Sequence, residues 1–161
     1  MATEITASYT RYPTTKGAVR EFWLKATGLV GLASASSATI ANYIENPYYK
    51  DLVIKDAIIY VTTASGNVAT DLDIGLADDA AGTNIGAELA DGLVAATLNA
   101  TGVKELGIVH SISAPPVKPI WKAKNYATDG FICTIQRGNV NASALVYNLL
   151  LCCVPLEDMT A

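Results

Sequence analysis

The chain has 161 residues, of which only 16% are charged, whereas an average soluble domain has about 25%. Its 51% apolar content owes its excess to small side chains, since 25 residues are alanine and only 7% are aromatic. This length is enough for one domain with its own core, which excludes a disulfide-stapled miniprotein. No run of about 18 apolar residues occurs, which excludes a transmembrane helix.

The charge pattern narrows the choice of partners. The formal net charge is −4, and the one concentration of basic residues is Lys118, Lys122 and Lys124, which alternate with apolar residues around Trp121. Binding to nucleic acid depends on a larger basic surface, so we exclude it. The first residues show no basic segment followed by an apolar one, so we expect synthesis in a cytoplasm without a secretory signal.

The cysteines predict no covalent framework. They are Cys133, Cys152 and Cys153, which is an odd number, and adjacent residues of one strand point to opposite faces. A disulfide scaffold and a CxxC metal or redox site both fail on that spacing. We therefore expect three buried free thiols that act as small apolar side chains.

The first 37 residues differ in composition from the rest of the chain. They are rich in Thr, Ser, Ala and Gly, and their apolar residues are too few to build a core. We interpret residues 1–37 as an extended N-terminal arm and residues 38–161 as the folded domain. Such an arm either stays disordered or becomes ordered by laying its aromatic residues on a neighbouring surface, and Trp23 favours the second. In both cases we expect removal of residues 1–30 to leave the domain folded. The candidate contact residues of the arm are Val19, Phe22, Trp23 and Leu24.

Beyond the arm, the pattern is that of short β-strands. Residues 52–62 are rich in β-branched side chains and are apolar at both alternating sets of positions, which predicts a strand covered on both faces. Ser65-Gly66-Asn67 is typical of a hairpin turn. Residues 68–77 alternate regularly, which predicts one buried face and a wetter face that carries Asp71 and Asp73.

The second half predicts more strands and one irregular segment. Residues 85–99 have a helix-forming composition interrupted by glycine, so we expect a short helical or irregular excursion. Residues 106–112 form a strand, and the prolines of residues 114–119 restrict that segment to an edge or crossover. Residues 130–136 and 143–154 form a hairpin whose second strand is central.

Together these elements predict an all-β fold. Short strands at even spacing, joined by turns of Gly, Asn and Asp, are typical of an antiparallel two-sheet β-sandwich. We therefore expect a β-sandwich of jelly-roll-like type behind the extended N-terminal arm.

No residue pattern indicates catalysis. His110 is the only histidine, and it lies inside a predicted apolar strand without a GxSxG signature anywhere in the chain, so we expect a structural or interface role. Asp71, Asp73 and Asp78 lack the spacing of a calcium loop, and the glycines form no phosphate-binding pattern. We therefore predict a protein that is not an enzyme and has no metal site and no cofactor.

The aromatic residues offer a surface function. Tyr48 and Tyr49 follow Asn46-Pro47, and Trp121 follows the proline-rich segment. Packing at the ends of the sandwich accounts for such residues, as does a platform for a sugar or peptide ligand. Tyrosine is also enriched at protein interfaces, so we name Tyr48, Tyr49 and Trp121 as possible interface aromatics.

The middle of the chain resembles small bacteriophage virion proteins that occur with capsid components. An apolar strand ends in Val61-Thr62-Thr63, a small-residue turn follows at Ala64-Ser65-Gly66, and a strand containing Asp73-Ile74-Gly75 comes next. A polar loop then leads to Asp91-Gly92-Leu93, and Asn46-Pro47 stands at the entry to the first long strand.

This resemblance implies a head decoration protein, also called a cement protein. Members of that family are β-sandwiches that bind the outer surface of the head and stabilise the shell, often as homotrimers. The implied partner is the major capsid protein, and the implied location is the virion. A tail- or fibre-associated β-sandwich that binds a receptor or carbohydrate is the alternative.

Overall fold

A computed structural model of the chain describes residues 3–5, 8–9, 21–33, 39–66, 71–81, 85–93, 98–106, 119–124, 130–137 and 141–160. Within these ranges, eleven β-strands precede one short helix at the C-terminal end. The strands are β1 (Thr3–Glu4), β2 (Ser8–Tyr9), β3 (Phe22–Val30), β4 (Thr39–Glu45), β5 (Leu52–Thr63), β6 (Asp71–Ala77), β7 (Ile85–Leu93), β8 (Gly102–Leu106), β9 (Ile120–Trp121), β10 (Phe131–Arg137) and β11 (Val146–Pro155). The helix, α1, is Leu156–Thr160.

The strands form two sheets. Sheet A has the order β1-β4-β10-β6-β7, and sheet B has the order β2-β3-β11-β5-β8, with β9 as a second neighbour of β5. Apart from the parallel pair β1 and β4, the described pairings are antiparallel. Among the eight longer strands, sheet B has the order β3-β11-β5-β8 and sheet A has the order β4-β10-β6-β7. If these eight are counted in chain order, sheet B holds strands 1, 8, 3 and 6 and sheet A holds strands 2, 7, 4 and 5, which is the arrangement of a jelly roll. This confirms the predicted β-sandwich.

Strands that follow each other in the chain mostly lie in opposite sheets. The chain passes from β5 in sheet B to β6 in sheet A, so the predicted hairpin turn at residues 65–67 is wrong, although Gly66 does have a positive φ of 69°. Likewise β10 lies in sheet A and β11 in sheet B, so their predicted hairpin is wrong. The predicted central position of β11 is confirmed, because it lies between β3 and β5.

The segment predicted to be helical or irregular is a strand in its first part. Residues 85–93 form β7, which pairs antiparallel with β6 along a register interrupted three times. These interruptions break the alternation that marks a strand, and pairing with β6 overrides the helical propensity of the sequence. Of the predicted strand 106–112, only Leu106 lies within the described residues, at the end of β8. Of the predicted crossover 114–119, only Pro119 does, and its carbonyl accepts a hydrogen bond from the Ile54 amide at 2.9 Å.

The predicted wetter face of β6 is buried. Asp73 has only 1% of its surface exposed, and it lies opposite Ile135 of β10 on the outer face of sheet A. The same face holds a small second core around Ala77, Cys133 and Ile135. The centre of sheet A is therefore covered on both faces. The alternation of polar and apolar residues along β6 does not indicate that Asp73 faces solvent.

The boundary predicted for the arm is wrong. Residues 22–30 form β3, which pairs with β11 over most of its length and carries the buried side chains Phe22, Leu24 and Leu29. Deletion of residues 1–30 would therefore remove a strand of sheet B and unfold the domain. The alternation of β3 is broken by a bulge where Gly28 has a φ of 71° and donates its amide to the Asn148 side-chain oxygen at 3.1 Å.

A second bulge changes which side chains of β5 face outward. Cys152 and Cys153 of β11 pair with Asp56 and Ile54, so Lys55 is an extra residue in β5. Beyond this bulge the core-facing residues have odd numbers, and Ile58 and Tyr60 point away from the core. The prediction that β5 is covered on both faces therefore fails in its second half, where Tyr60 is 41% exposed.

Two amide side chains of sheet A bind the backbone at the end of β3 and just beyond it. The Asn42 side chain of β4 donates to the Val30 carbonyl at 2.9 Å and accepts from the Val30 amide at 3.2 Å. The Gln136 side chain of β10 makes the same pair of bonds with Leu32, at 3.3 Å and 2.7 Å. The Asn42 amide thus satisfies the last residue of β3 and the Gln136 amide satisfies the backbone just beyond it, so these polar groups have partners from sheet A.

Two glycines of this region are expected to differ in their tolerance of alanine. A Cβ at Gly28 meets nothing within 4 Å, so Gly28→Ala loses about 1 kcal/mol of stability from the positive φ alone. A Cβ at Gly31 would lie 2.3 Å from the Ala142 carbonyl oxygen, so Gly31→Ala forces the backbone apart and loses about 3 kcal/mol. Urea unfolding of both variants measures the difference. Equal losses would contradict the close approach at Gly31.

Candidate assembly interface

The structure separates the residues proposed as arm contacts. Phe22 and Leu24 point into the core and are buried, so they cannot contact a partner. Trp23, between them, points outward from sheet B and is 39% exposed. Val19 lies outside the described residues. Of the four predicted arm contacts, Trp23 is therefore the one that the described structure presents to a partner.

Trp23 belongs to an apolar surface on the outer face of sheet B. The register of β3, β11, β5 and β8 aligns three rows of outward side chains: Trp23, Cys152 and Asp56; Lys25, Leu150 and Ile58; Asn148, Tyr60 and Val103. We call Trp23, Ile58, Tyr60, Val103 and Leu150 the sheet B patch. Tyr60 is 41% exposed and Val103 is 65% exposed. Of the four large apolar side chains that are exposed in the described residues, Trp23, Tyr60 and Val103 thus lie on this face.

The sheet B patch contains a shallow groove. Its volume is about 300 Å³, and Lys25 and Asn148 line it together with Ile58, Tyr60 and Leu150. An apolar surface with a few polar groups at its rim is typical of a protein interaction site. The sequence prediction missed Ile58 and Tyr60 because it assigned them to a covered face. The signal was present, since β5 is apolar at both alternating sets of positions.

The predicted interface aromatics lie together at one end of the sandwich, and only one is open. Trp121 is fully buried, and its indole Nε1 donates to the Gly130 carbonyl at 3.0 Å. The Tyr48 ring packs edge-on against Phe22, with ring centroids 5.8 Å apart. Tyr49 is 75% exposed. The packing interpretation therefore holds for Trp121 and Tyr48, while Tyr49 is accessible to a ligand or partner.

Asn46 holds this end of the sandwich together. Its buried side-chain nitrogen donates to the carbonyls of Lys50, Trp121 and Lys122 at 3.0, 3.2 and 2.9 Å. Its side-chain oxygen accepts from the Tyr48 amide at 2.9 Å. One side chain thus fixes the turn after β4 against the segment that follows β9.

Tyr49 lines a second cleft, whose charged groups are engaged in ion pairs. This cleft has a volume of about 340 Å³ and is also lined by Lys50, Asp51, Leu156 and Glu157. Lys50 is paired with Glu157, and Asp51 accepts from Lys122 Nζ at 2.9 Å. Burial opposes ionisation of Asp51, but the hydrogen bonds from Lys122 and from the Ala123 amide outweigh it, so the pKa of this carboxyl is lowered. This cleft therefore combines the exposed Tyr49 ring with charged side chains that already take part in ion pairs.

The cysteines are free and buried, as predicted. Burial and the nearby Asp79 charge raise the pKa of Cys133 from 9.0 to about 12. Burial also raises the pKa of the Cys153 thiol and of the Tyr147 hydroxyl. None of these groups is poised to act as a nucleophile at neutral pH.

These raised pKa values predict a loss of stability in alkali. The unfolded chain releases these protons near their ordinary pKa values, whereas the folded protein retains them. The stabilising effect of the Cys133 thiol is thus complete below about pH 9 and disappears as the pH rises towards 12. We expect the urea midpoint of the wild type to fall more between pH 9 and 11 than that of Cys133→Ala. Identical slopes would contradict this assignment.

Other candidate sites are few in the described part of the chain. No three His, Cys, Asp or Glu side chains of the described residues are grouped so that they could hold a metal ion. No helix in the same residues is long and apolar enough to cross a membrane. His110 lies outside the described ranges, and of Asp91 only the backbone is described.

Comparison with known proteins finds a similar fold in a phage capsid. A chain of the solved structure described as "Capsid of Ralstonia phage GP4" aligns with a TM-score of 0.50 and 21% sequence identity. The alignment covers 94% of this chain and 97% of that chain. No protein-family model and no curated protein matches the sequence. At this identity, the likeness shows that the two chains share a fold over nearly all of their length.

Proposed function

We propose that this protein is a non-enzymatic structural component of a bacteriophage head. The observation that carries the proposal is the shared fold with a chain of "Capsid of Ralstonia phage GP4" over 94% of this chain and 97% of that chain. Jelly rolls also serve as lectins and cupins, so the fold by itself leaves several functions open. The low charge content and the exposed sheet B patch favour a protein that works within an assembly.

Within the head, we assign the protein the role of a decoration or cement protein. It binds the outer surface of the shell as an oligomer, with a trimer favoured, and its partner is the major capsid protein. We place the sheet B patch against that partner. Four strands and three rows of side chains cover roughly 300 Å². A standard interface needs about 800 Å² per partner, so the patch is too small for a stable dimer and suits one of several contacts with a lattice.

Such a protein stabilises a shell by binding its assembled state. Each copy that contacts more than one shell subunit binds the intact lattice and not the separated subunits, so binding shifts the equilibrium towards the intact shell. Several contacts per oligomer multiply the effect, because each later contact forms at high effective concentration. The chemistry required is an accessible apolar surface on a rigid scaffold, which the sheet B patch supplies.

Imaging of shells tests this proposal. The purified protein is mixed with shells of its own phage that were assembled without it, and the particles are imaged by electron cryomicroscopy. We expect new density at symmetry-related positions on the outer surface and a higher melting temperature of the shell. Bare shells at saturating protein would overturn the proposal.

The exposed Tyr49 supports the receptor-binding alternative, in which the β-sandwich binds a carbohydrate. An accessible aromatic ring beside a cleft of about 340 Å³ is a surface on which a sugar ring can stack. A glycan array tests it directly. Micromolar binding that disappears in Tyr49→Ala would favour a receptor-binding protein, and a blank array would remove this candidate.

A further inference from the structure

The N-terminal strands close one side of the sandwich. Thr3 and Glu4 pair with Asn42 and Tyr43 at the edge of sheet A, in parallel orientation. Residues 8 and 9 then pair with Lys25 and Leu24 at the edge of sheet B. Three residues separate β1 from β2, so this short segment runs from one sheet edge to the other. It covers two edges that would otherwise expose unpaired backbone groups.

The described residues of this segment make short ladders with the two sheets. Each of its strands has only two residues in register, whereas β3 pairs with β11 over seven positions. Among the described residues, Ile5 adds two contacts, because its amide donates to the Tyr43 carbonyl at 3.0 Å and its partly buried side chain packs on the core. Glu4 reaches the Tyr43 hydroxyl at 3.5 Å in an exposed position. Terminal ladders of this length open at low free energy.

The connection to the rest of the chain is longer than this pairing requires. Residues 10–21 join β2 to its own antiparallel neighbour β3. Hairpin connections commonly have two to five residues, and a connection of twelve is uncommon unless it serves a function. Twelve extended residues span up to about 40 Å, which matches the width of roughly 40 Å expected for a domain of 161 residues.

We propose that residues 1–9 exchange between neighbouring copies of this chain in the assembled oligomer. In the exchanged form, the β3 and β4 edges of one copy bind the β1 and β2 strands of the next copy, with the same hydrogen bonds and the same Ile5 contact. Because the contacts are unchanged, effective concentration decides between the two forms. This inference rests on the proposed function, since the shell holds copies at a fixed short distance. A head-to-tail exchange closes into a ring and locks the oligomer together.

A mixing experiment distinguishes exchange from closure within one chain. Ser8 lies opposite Lys25, and residues directly opposite in an antiparallel pair have Cα atoms at a distance that a disulfide accepts. The single variants Ser8→Cys and Lys25→Cys are prepared separately, mixed in equal amounts, bound to shells and oxidised. A disulfide between positions 8 and 25 can then form only between two chains. Non-reducing electrophoresis measures the species of twice the 16.9 kDa chain mass.

If exchange occurs around a ring, about half of the chains are expected in disulfide-linked dimers, because half of the donors meet a complementary acceptor. Each single variant alone provides the background, which the burial of the native cysteines keeps low. The double variant Ser8→Cys/Lys25→Cys in dilute solution is the control for register. It is expected to lose two free thiols without forming dimers.

The outcomes separate this inference from the proposed function. Full decoration of shells with dimers at background level overturns exchange and leaves the capsid role intact. Failure of the wild-type protein to decorate shells overturns the capsid role and the inference with it. If the cysteine variants alone fail to bind, the particle map decides. Density for residues 10–21 that leads to a neighbouring copy supports exchange, and density that returns to the same copy overturns it.

Discussion

Asn46→Ala is expected to lower the free energy of unfolding by about 3 to 5 kcal/mol, which is a large share of the stability of a single domain. The two N–H groups of the buried Asn46 side chain are shared among three backbone carbonyls, and its oxygen accepts from one backbone amide. Alanine leaves these four groups without their partner, and the buried Trp121 carbonyl is the one that water reaches least. Urea unfolding at neutral pH measures the loss.

Asn141 provides a matched control for this substitution. Its side chain also accepts hydrogen bonds, from the Ser143 amide at 3.0 Å and from the Ser143 hydroxyl at 2.7 Å, but it lies on the surface. Water replaces those bonds in Asn141→Ala, so the loss is expected to stay below about 1 kcal/mol. Asn46→Asp keeps the acceptor but places a carboxylate oxygen against three carbonyl oxygens, so it is expected to lose at least as much stability as Asn46→Ala. A loss of less than 1 kcal/mol in both Asn46 variants would contradict the role assigned to this side chain.

The fold class could be predicted because it depends on local patterns. The apolar run that forms β11 and the alternation within β6 are visible in the sequence, and turn residues lie between the strands. Pairing could not be predicted in the same way. Ser65-Gly66 has the composition of a hairpin turn, and Gly66 does adopt a positive φ, yet the chain there crosses from sheet B to sheet A. Local turn chemistry reverses a chain without specifying which strand it will pair with.

Bulges explain most of the side chains whose facing was predicted incorrectly. One extra residue in β5, at Lys55, moves Ile58 and Tyr60 to the outer face of sheet B. The bulge at Gly28 interrupts the alternation of β3, which made a core strand resemble part of an arm. Because a single inserted residue reverses the facing of every residue after it, such errors propagate along a strand.

The buried amides had no recognisable signal in the sequence. Asn42, Asn46 and Gln136 are fully buried, yet each occurs in a context that equally fits a turn or an exposed strand position. Their burial is possible because each meets backbone groups from a segment distant in sequence, such as Val30 for Asn42 and Leu32 for Gln136. Partners of this kind appear only after the sandwich is assembled. The sequence pattern therefore could not predict how the end of the sandwich is held together, nor that Tyr49 would be exposed there.

The sheet B patch gives the second large expected effect, which concerns binding rather than stability. Val103→Asp is expected to weaken shell binding by at least about 100-fold, because docking would bury a carboxylate in an apolar contact without a partner. Val103 is 65% exposed on the edge strand β8, so its replacement removes little buried surface from the domain. The melting temperature of the free protein should therefore change little. Shell occupancy measured by sedimentation over a range of protein concentrations gives the affinity.

Two further variants make this result specific to the patch. Val103→Ile keeps the surface apolar and is expected to bind shells like the wild type. Tyr49→Asp places the same charge on an aromatic side chain outside the patch that is 75% exposed, and it is expected to leave occupancy unchanged. If Val103→Asp decorated shells fully while Tyr49→Asp did not, the shell-binding surface would lie at the Tyr49 end of the sandwich. Equal loss in both variants would indicate a general effect of negative charge, which Tyr60→Ala would then distinguish, since it removes apolar area from the patch without adding charge.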